Sequence, residues 1–291
     1  MRDLLEGIEV DGRAPRLLFV HAHPDDETLA TGVAIAHHAA RGDEVHVLTC
    51  TLGEEGEVIP AHLAHLEGAP GDPLAEHRRA ELRGAMEVLG VTHHLLGATG
   101  PGGAPAYRDS GMAGSAAAGH PRAWAAADLD EAASAVGAVL DAVHPDVVVT
   151  YDATGGYGHP DHVRTHEATC RAVARRGGTT PVYAVLTPRS WAVEDRAWLA
   201  AHVPPDRGFV VPGEGDPFAS SVVPDAVVTH AVVAPSVVAV QHRALYAHET
   251  QVVVGDGWYA LSNHVVSRLA GREGFARLDV ATGRPVTEGA T

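Results

Sequence analysis

The chain has 291 residues, of which 45% are hydrophobic and 20% charged, a composition typical of a folded globular protein. Its formal net charge of −16 argues against nucleic acids and anionic membranes as partners. No apolar run approaches the roughly 18 residues of a membrane span. The two cysteines, Cys50 and Cys170, do not form a CxxC pair, which favours thiols in a reducing cytoplasm. The first residues do not resemble a signal peptide, so we expect none.

Strands and helices alternate along the first two thirds of the chain. Periodicity and helix-stop signals predict strands at residues 16–21, 44–51, 93–96, 146–151 and 181–187, and helices at 27–41, 74–89, 128–143 and 160–176. The strand at 16–21, the helix at 27–41 and the strand at 44–51 form a βαβ unit with a crossover of normal length. We therefore predict an α/β fold for residues 1–187, a Rossmann-like, mostly parallel sheet with helices on both faces that carries the catalytic site.

The pattern loosens after residue 187. It predicts helices at 190–201, 236–248 and 259–269 and strands at 226–233 and 275–280. We interpret residues 188–291 as a mixed α/β extension packed on the catalytic domain.

The segment Ala22-His23-Pro24-Asp25-Asp26-Glu27 follows the first predicted strand. Burying acids beside an apolar strand costs free energy unless a cation or hydrogen bonds compensate. The side chains of His23 and Asp26 are spaced so that both can reach one ion. Two imidazoles and one carboxylate hold zinc or iron(II) and leave room for water and substrate. Asp25 is then a candidate general base, although the segment taken alone also fits a turn with helix-capping acids.

A second polar cluster, Tyr157-Gly158-His159-Pro160-Asp161-His162, follows the strand predicted at 146–151. Two such clusters at the ends of parallel strands lie at the edge of an α/β sheet where active sites form. One histidine of this cluster is the expected third metal ligand. Spacing does not choose between His159 and His162, and either could instead cap the helix. The other histidine would then be an acid or electrostatic group oriented by Asp161.

Several familiar motifs are missing from the sequence. No GxGxxG follows the first strand, which disfavours dinucleotide binding, and neither GxxxxGK[ST] nor HExxH occurs. A GxSxG elbow is also lacking, which makes a serine hydrolase a poor interpretation. The remaining histidines, such as the pairs at 37–38 and 93–94, lack acidic partners at ligand spacing, so we interpret them as structural.

Through AHPDDE at 22–27 and HPDH at 159–162, the chain resembles the LmbE-like, or PIG-L, zinc deacetylase superfamily. Residues 49–58, 108–112, 155–159 and 250–254 resemble one branch, the mycothiol-pathway deacetylases of N-acetylglucosaminyl-inositol. The resemblance implies a cytoplasmic amide hydrolase with a small-molecule substrate. It also implies that His23, Asp26 and His162 bind zinc, or iron(II), and that Asp25 is the general base.

Five further roles come from the same resemblance. His159, supported by Asp161, would stabilise the tetrahedral oxyanion, and Tyr157 would be a mobile donor to it. Arg78 and Asp109 would contact the sugar and the inositol. Arg79 follows Arg78, so the register of that contact is open. The loop at 97–107 is longer than is usual in the family, which affects the geometry leading into Asp109.

Three rival functions remain. The sister enzyme, mycothiol S-conjugate amidase, tends to have a lysine just after the acidic motif and a proline between the tyrosine and the histidine of the second. Here Thr28-Leu29-Ala30-Thr31 is uncharged and Gly158 fills the second place, which favours the deacetylase. A deacetylase of another N-acetylhexosamine is also possible. A non-catalytic sugar-binding module would be expected to have lost a ligand or the base, and all of them are present.

Overall fold

The computed structural model describes residues 1–98, 103–204 and 208–286. The elements that build the main sheet and its helices are β1 (Arg16–His21), α1 (Asp26–Arg41), β2 (Glu44–Thr49), α2 (Pro73–Leu89), β3 (Thr92–Leu95), α3 (Leu129–Val143), β4 (Val147–Thr150), the short turn α4 (Gly155–Gly158), α5 (Pro160–Ala174) and β5 (Val182–Pro188). The elements that follow are α6 (Arg189–His202), β6 (Val222–Val223), β7 (His230–Val233), α7 (Val238–Leu245), β8 (Val253–Val254), β9 (Trp258–Ala260), β10 (Val266–Arg268), β11 (Arg272–Asp279) and β12 (Arg284–Pro285).

The main sheet confirms the predicted fold class. Its order is β12-β11-β5-β4-β1-β2-β3, and the strands from β5 to β3 run parallel. The chain moves outward from β1 through β2 to β3, whereas β4 leads to β5 on the other side. The order therefore reverses between β1 and β4, and the carboxyl ends of these two strands flank a crevice in which α/β proteins place their ligands.

Side chains of the parallel strands point alternately to two apolar cores. Leu17 and Phe19 of β1 belong to the core under α1 and α2, whereas Leu18 and Val20 belong to the core under α3 and α5. Both cores are built from β-branched, aliphatic and small residues, as expected for strands covered on both faces. The sheet is therefore a fixed base from which the loops after β1 and β4 extend.

The C-terminal residues complete this sheet. β11 runs antiparallel to β5 and pairs along its other side with β7 and β12. The Glu273 carboxylate of β11 accepts the backbone N–H groups of Val33 and Ala34 in the middle of α1, each at 2.8 Å. Gln241 of α7 donates to the carbonyl of Thr28, one turn earlier in α1. Residues after 187 thus hold the helix that begins at Asp26, and the domain division at 187 stays a prediction.

One predicted element is wrong. The segment 259–269 is not a helix but two short antiparallel strands, β9 and β10, which form a small second sheet with β8. The turn between them contains His264 with a φ of 59°, a left-handed conformation that ends any helix there. Aromatic and β-branched residues on both sides favour strand pairing. The strand predicted at 226–233 is shorter than expected, because residues 225–227 form a 3₁₀ turn.

The segment at 97–127, between β3 and α3, is largely irregular where the structure describes it. Residues 99–102 belong to the loop at 97–107 that is predicted to be longer than usual, and they lie outside the described residues. Short 3₁₀ turns occur at Ala116–Gly119 and Trp124–Ala126. Among the described residues, no helix combines the length and apolar character needed to cross a bilayer.

Candidate active site

Three of the predicted site residues meet at the crevice between β1 and β4. His23 Nδ1 lies 3.3 Å from Asp26 Oδ2, His162 Nε2 lies 3.2 Å from the same oxygen, and the two nitrogens are 3.3 Å apart. Ligand atoms bound 2.0–2.2 Å from a tetrahedral ion are separated by roughly 3.3–3.5 Å. All three side chains are buried. Two imidazole nitrogens and a carboxylate oxygen at this spacing fit a divalent cation.

In the neutral forms of the two histidines, the hydrogen-bond partners place each ring proton on the nitrogen that faces away from the triangle. His162 Nδ1 is 3.2 Å from the carbonyl of Gly155, which can only accept, so this nitrogen carries the proton. His23 Nε2 is 3.1 Å from Asp161 Oδ2 and donates to it. In the neutral tautomers assigned from these partners, His23 Nδ1 and His162 Nε2 present lone pairs to one point, as metal ligands do.

His159 lies beside this triangle. Its ring centroid is 4.6 Å from that of His23, and a set of His23, His159 and His162 nitrogens could also hold an ion. However, His159 Nδ1 accepts the backbone N–H of Asp161 at 3.2 Å, capping α5, so its neutral form carries the proton on Nε2. Burial lowers the pKa of His159 to about 4, and the rings of His23 and His162 add to the shift. A neutral imidazole with an Nε2–H at the cleft is a hydrogen-bond donor.

The structure gives the Asp161 carboxylate a different partner from the one expected. Its Oδ2 accepts from His23 Nε2 and from the backbone N–H of Ser110 at 2.9 Å. The carboxylate therefore does not contact the ring of His159, for which the sequence predicts orientation by Asp161. The link between the two residues is the backbone N–H of Asp161, because the side chain turns from the first turn of α5 toward the loop at 109–111. Asp161 supports His23 instead.

Asp25 occupies a strained position next to the triangle. Its φ of 101° and ψ of −35° lie in a region that L-residues rarely adopt. Its carbonyl accepts the N–H groups of Thr28 and Leu29, which starts α1. Burial raises the pKa of Asp25 to about 8, with a further contribution from the Asp26 carboxylate, while His248 opposes the rise. A cation in the triangle would favour the ionised form of Asp25.

Two fully buried residues that the sequence analysis did not assign lie behind Asp25. Glu27 Oε2 accepts the backbone N–H of Asp25 at 3.1 Å, and Glu27 Oε1 is 2.9 Å from His248 Nε2. Glu27 belongs to the first motif, so its place near the site could have been expected. His248 comes from the end of α7, and no local pattern in the sequence indicates its position.

Tyr157 stands at the mouth of the cleft and is 57% exposed. Its ring centroid is 5.1 Å from that of His162 and 6.1 Å from that of His159. It lies in the turn α4, between glycines with positive φ. Ser220 Oγ and the backbone N–H of Ser221 both donate to the carbonyl of Gly156 at 2.9 Å, which ties this turn to the C-terminal part of the chain.

Arg78 and Asp109 both border the cleft, but they also hold loops. The buried Arg78 guanidinium donates to the carbonyls of Gly53 and Glu57. A Cβ at Gly56 would lie 2.1 Å from Arg78 Nη1, so only glycine allows this close approach. Arg79 donates to the carbonyl of Gly103 instead, and of the two arginines it is Arg78 that lines the cleft.

Asp109 lies closer to the triangle than Arg78 does. Its Oδ1 is 3.4 Å from His23 Nε2 and accepts the N–H of Gly111 at 2.8 Å. Its Oδ2 accepts the N–H of Glu55 at 3.1 Å. The carboxylate therefore joins the loop at 53–57 to the loop at 109–111, on one side of the cleft.

The cleft has a volume of about 960 Å³ and extends well beyond the triangle. Its far end is lined by residues of the C-terminal part, among them Trp191, Phe218, Tyr259 and Leu261. Arg272 packs over Trp191 and is bound to Asp195 at 2.7 Å, which fixes α6 against β11. The polar triangle thus opens into a long groove with mixed aromatic and charged walls.

Two comparisons with known proteins place the chain among deacetylases of one family. Residues 18–173 match the family model PIG-L, described as GlcNAc-PI de-N-acetylase. A protein of Actinosynnema mirum named 1D-myo-inositol 2-acetamido-2-deoxy-alpha-D-glucopyranoside deacetylase is 45% identical, over 90% of this chain and 91% of that one. A protein of Mycolicibacterium smegmatis with the same name is 46% identical, over 90% and 89%.

The solved structures add evidence on the fold. That of N,N'-diacetylchitobiose deacetylase from Pyrococcus horikoshii is similar with a TM-score of 0.55 and 20% identity, covering 99% of this chain and 94% of that one. At this identity the likeness concerns the fold alone, and it agrees with the parallel sheet described above.

Proposed function

The chain belongs to the PIG-L family of GlcNAc-PI de-N-acetylases, and we propose that it deacetylates N-acetylglucosaminyl-inositol as a step of mycothiol biosynthesis. It is a hydrolase that acts on an amide C–N bond. The proposed substrate is the compound in the names of relatives that are 45% and 46% identical over 90% of this chain. The products would be acetate and the free amine of glucosaminyl-inositol.

We propose that His23, Asp26 and His162 hold one divalent cation, with zinc first and iron(II) second. The observation that carries this proposal is the triangle of two imidazole nitrogens and one carboxylate oxygen with edges of 3.2–3.3 Å. Such a cation, when bound, lowers the pKa of its water to roughly 7 and polarises a carbonyl. Asp161 would keep His23 in the tautomer that this role requires.

Asp25 is the proposed general base. Its carboxylate takes a proton from the attacking water, whose oxygen forms a bond to the acetyl carbon. The same group returns that proton to the nitrogen as the C–N bond breaks, so that the amine leaves neutral, and the acetic acid formed loses the second proton of the water to solvent as acetate. The strained backbone of Asp25, held through Glu27, fixes the direction of the carboxylate.

His159 and Tyr157 are the proposed donors to the oxyanion that forms on the acetyl oxygen. His159 is suited because its Nδ1 accepts a backbone N–H, which leaves the proton on Nε2. Tyr157 is exposed in a glycine-rich turn, and its hydroxyl would reach the oxyanion after substrate binds. Preorganised donors of this kind stabilise charge that develops in the transition state.

For the rest of the substrate we propose Asp109 as an acceptor for a sugar or inositol hydroxyl. Arg78 acts mainly by holding the loop at 53–57 against the cleft, since its guanidinium donates to two backbone carbonyls of that loop. The free buried thiols of Cys50 and Cys170 fit a cytoplasmic enzyme, and the charge of −16 fits a small-molecule substrate rather than a nucleic acid or membrane.

The test is amine release from N-acetylglucosaminyl-inositol by metal-stripped protein, before and after one equivalent of zinc. We expect no turnover without metal and restored turnover with it. Metal bound at one equivalent without turnover would leave the ligand set standing and overturn the substrate.

A second candidate, mycothiol S-conjugate amidase, is favoured by one observation. The cleft of about 960 Å³ lies near the upper end of the roughly 300–1,000 Å³ usual for small-molecule sites, and it reaches Trp191 and Phe218. A larger conjugate would have room there. Comparing kcat/KM for the two substrates with the same zinc-loaded protein decides between them, and a higher value for the conjugate would favour the amidase.

A further inference from the structure

Tyr151 follows directly after β4 and is buried between two of the proposed metal ligands. It is 3% exposed. Its hydroxyl lies 2.8 Å from Asp26 Oδ2, and its ring stacks on His162 with centroids 4.1 Å apart and an interplanar angle of 13°. One side chain thus touches both a carboxylate and an imidazole of the triangle.

The hydrogen bonds around Tyr151 fix the direction of its proton. Thr31 Oγ1 donates to the carbonyl of Glu27 at 3.0 Å, so it accepts from His21 Nε2 at 2.8 Å. His21 Nδ1 therefore carries a lone pair, and it faces the Tyr151 oxygen at 3.3 Å. The N–H of Ala22 donates to the same oxygen at 2.9 Å.

The Tyr151 hydroxyl has one proton and two acceptors in reach. The shorter contact is to Asp26 Oδ2, whose carboxylate charge also makes it the stronger acceptor. The N–H of Ala22 donates to the hydroxyl oxygen and holds it in place. Buried groups of β1 and α1 therefore direct the Tyr151 hydroxyl toward Asp26, independently of any ligand.

The aromatic ring of Tyr151 also restrains the His162 imidazole. The stacked ring restrains rotation of the His162 imidazole, while the bond from His162 Nδ1 to the carbonyl of Gly155 sets its tautomer. His162 Nε2 is thereby aimed at the same point as Asp26 Oδ2. Neither restraint depends on substrate.

We propose that Tyr151 is a positioning residue for the cation, which fixes the Asp26 carboxylate through its hydroxyl and the His162 imidazole through its ring. This inference rests on the proposed ligand set of His23, Asp26 and His162. Groups that orient metal ligands in this way typically contribute 10–100-fold to metal affinity.

The test is the zinc dissociation constant of the metal-stripped protein, measured by competition with a chromophoric chelator. Tyr151→Phe removes one oxygen and keeps the stacked ring, and we expect it to weaken zinc binding by roughly 10–100-fold. Tyr151→Leu removes the ring as well and should weaken binding further. The matched control is Tyr183→Phe, a buried tyrosine of β5 that packs on His230, which should bind zinc like the parent.

Thermal unfolding of the metal-free proteins distinguishes a loss of ligand positioning from a general loss of protein stability. Tyr151→Phe should unfold cooperatively and show a smaller rise of Tm on adding zinc than Tyr183→Phe does. A dissociation constant within twofold of the parent for Tyr151→Phe would overturn the role of the hydroxyl. Equal constants for Tyr151→Phe and Tyr151→Leu would overturn the role of the ring.

His162→Ala distinguishes this inference from the proposed function. If His162→Ala keeps zinc at full affinity, the ligand set itself is wrong. If His162→Ala loses zinc while Tyr151→Phe and Tyr151→Leu bind it like the parent, the ligand set holds and only the positioning role of Tyr151 fails.

Discussion

His248 and Glu27 form an ion pair with no exposure of either side chain, and their Nε2 and Oε1 atoms are 2.9 Å apart. The pair joins the end of α7 to the first turn of α1, across 221 positions of sequence. Glu27 in turn accepts the backbone N–H of Asp25, the proposed base. The pair therefore connects protein stability to the geometry of the site.

Replacing His248 with alanine would leave the Glu27 carboxylate buried without its cation. Breaking a buried pair from one side typically costs about 3–5 kcal/mol, and we expect a loss of that order in the free energy of unfolding. His248→Gln, which keeps a donor of similar size, should lose less. Urea unfolding of both variants measures this, and a loss below about 1 kcal/mol in His248→Ala would contradict the pairing.

The pH dependence of this pair has a defined sign. Burial alone would lower the pKa of His248, but Glu27, together with Asp25 and Glu81, raises it above its ordinary 6.5. The stability from His248 is therefore complete below pH 6.5 and is lost as the pH rises through the raised value. The difference in unfolding free energy between parent and His248→Gln should shrink on the alkaline side. A difference that grew there would contradict the assignment.

Asp25→Asn should lower kcat by roughly 10² or more, the usual scale for a lost general base. Metal content should stay near one equivalent, because Asp25 is outside the ligand triangle, and asparagine tolerates a positive φ better than most residues. A suitable control is Asp128→Asn at the start of α3, where asparagine caps a helix as well as aspartate does. Normal turnover in Asp25→Asn would remove this residue from the mechanism.

His162→Ala and His159→Ala should separate the two histidines of the second motif. We expect His162→Ala to lose bound metal, and His159→Ala to keep it while kcat falls. Metal content after dialysis, measured by atomic absorption, gives the answer. Full metal stoichiometry in His162→Ala together with metal loss in His159→Ala would exchange the two roles.

Asp109→Ala should raise KM more than it lowers kcat, because the carboxylate lies at the side of the cleft and outside the triangle. Steady-state kinetics on zinc-loaded protein measures both constants. Because Asp109 also accepts the N–H groups of Glu55 and Gly111, Asp109→Asn is the milder companion variant. An unchanged KM in Asp109→Ala would place this loop outside substrate binding.

Glu273 gives protein stability a second dependence on pH, through a carboxyl group rather than an imidazole. Burial raises its pKa to about 8, although the two N–H groups of α1 oppose the rise. The folded protein thus holds this proton more tightly than the unfolded chain, so stability falls as the pH rises from about 4.5 to about 8. The slope from one such group is at most about 1.4 kcal/mol per pH unit. Glu273→Gln should flatten the curve of unfolding free energy against pH, and an unchanged slope would contradict the assignment.

The sequence predicts that the three residues of the proposed ligand triangle lie together, because the information for this is local. His23 and Asp26 follow β1, His162 follows β4, and parallel strands bring such ends together without any knowledge of distant contacts. Tyr151 and His248 are different. A tyrosine after a strand and a histidine after a helix are common, and only the packing of β4 against β1 and of α7 against α1 gives them partners.

Two features of the structure depend on contacts with segments that the local sequence does not reveal. The segment 259–269 is short and mixes apolar with polar residues, so its periodicity alone does not separate helix from strand pairing. The partner strand and the left-handed His264 decide the outcome. For Asp161, a first-turn acid can face either its own helix or a neighbouring loop, and the N–H of Ser110 from the loop at 109–111 determines its direction.

The bond from Val33 to Glu273 links residues 240 positions apart, and it holds the helix that carries Asp26. A ribosome delivers β1 and the first motif early, whereas β11 emerges near the end of synthesis. During that interval α1 lacks the carboxylate that receives two of its N–H groups, and β5 is an open sheet edge. Contacts so distant in sequence slow folding. The nascent chain therefore lacks the buried acceptor that holds α1 until β11 has been synthesised, and until then the β5 edge that β11 covers is open to pairing with other chains.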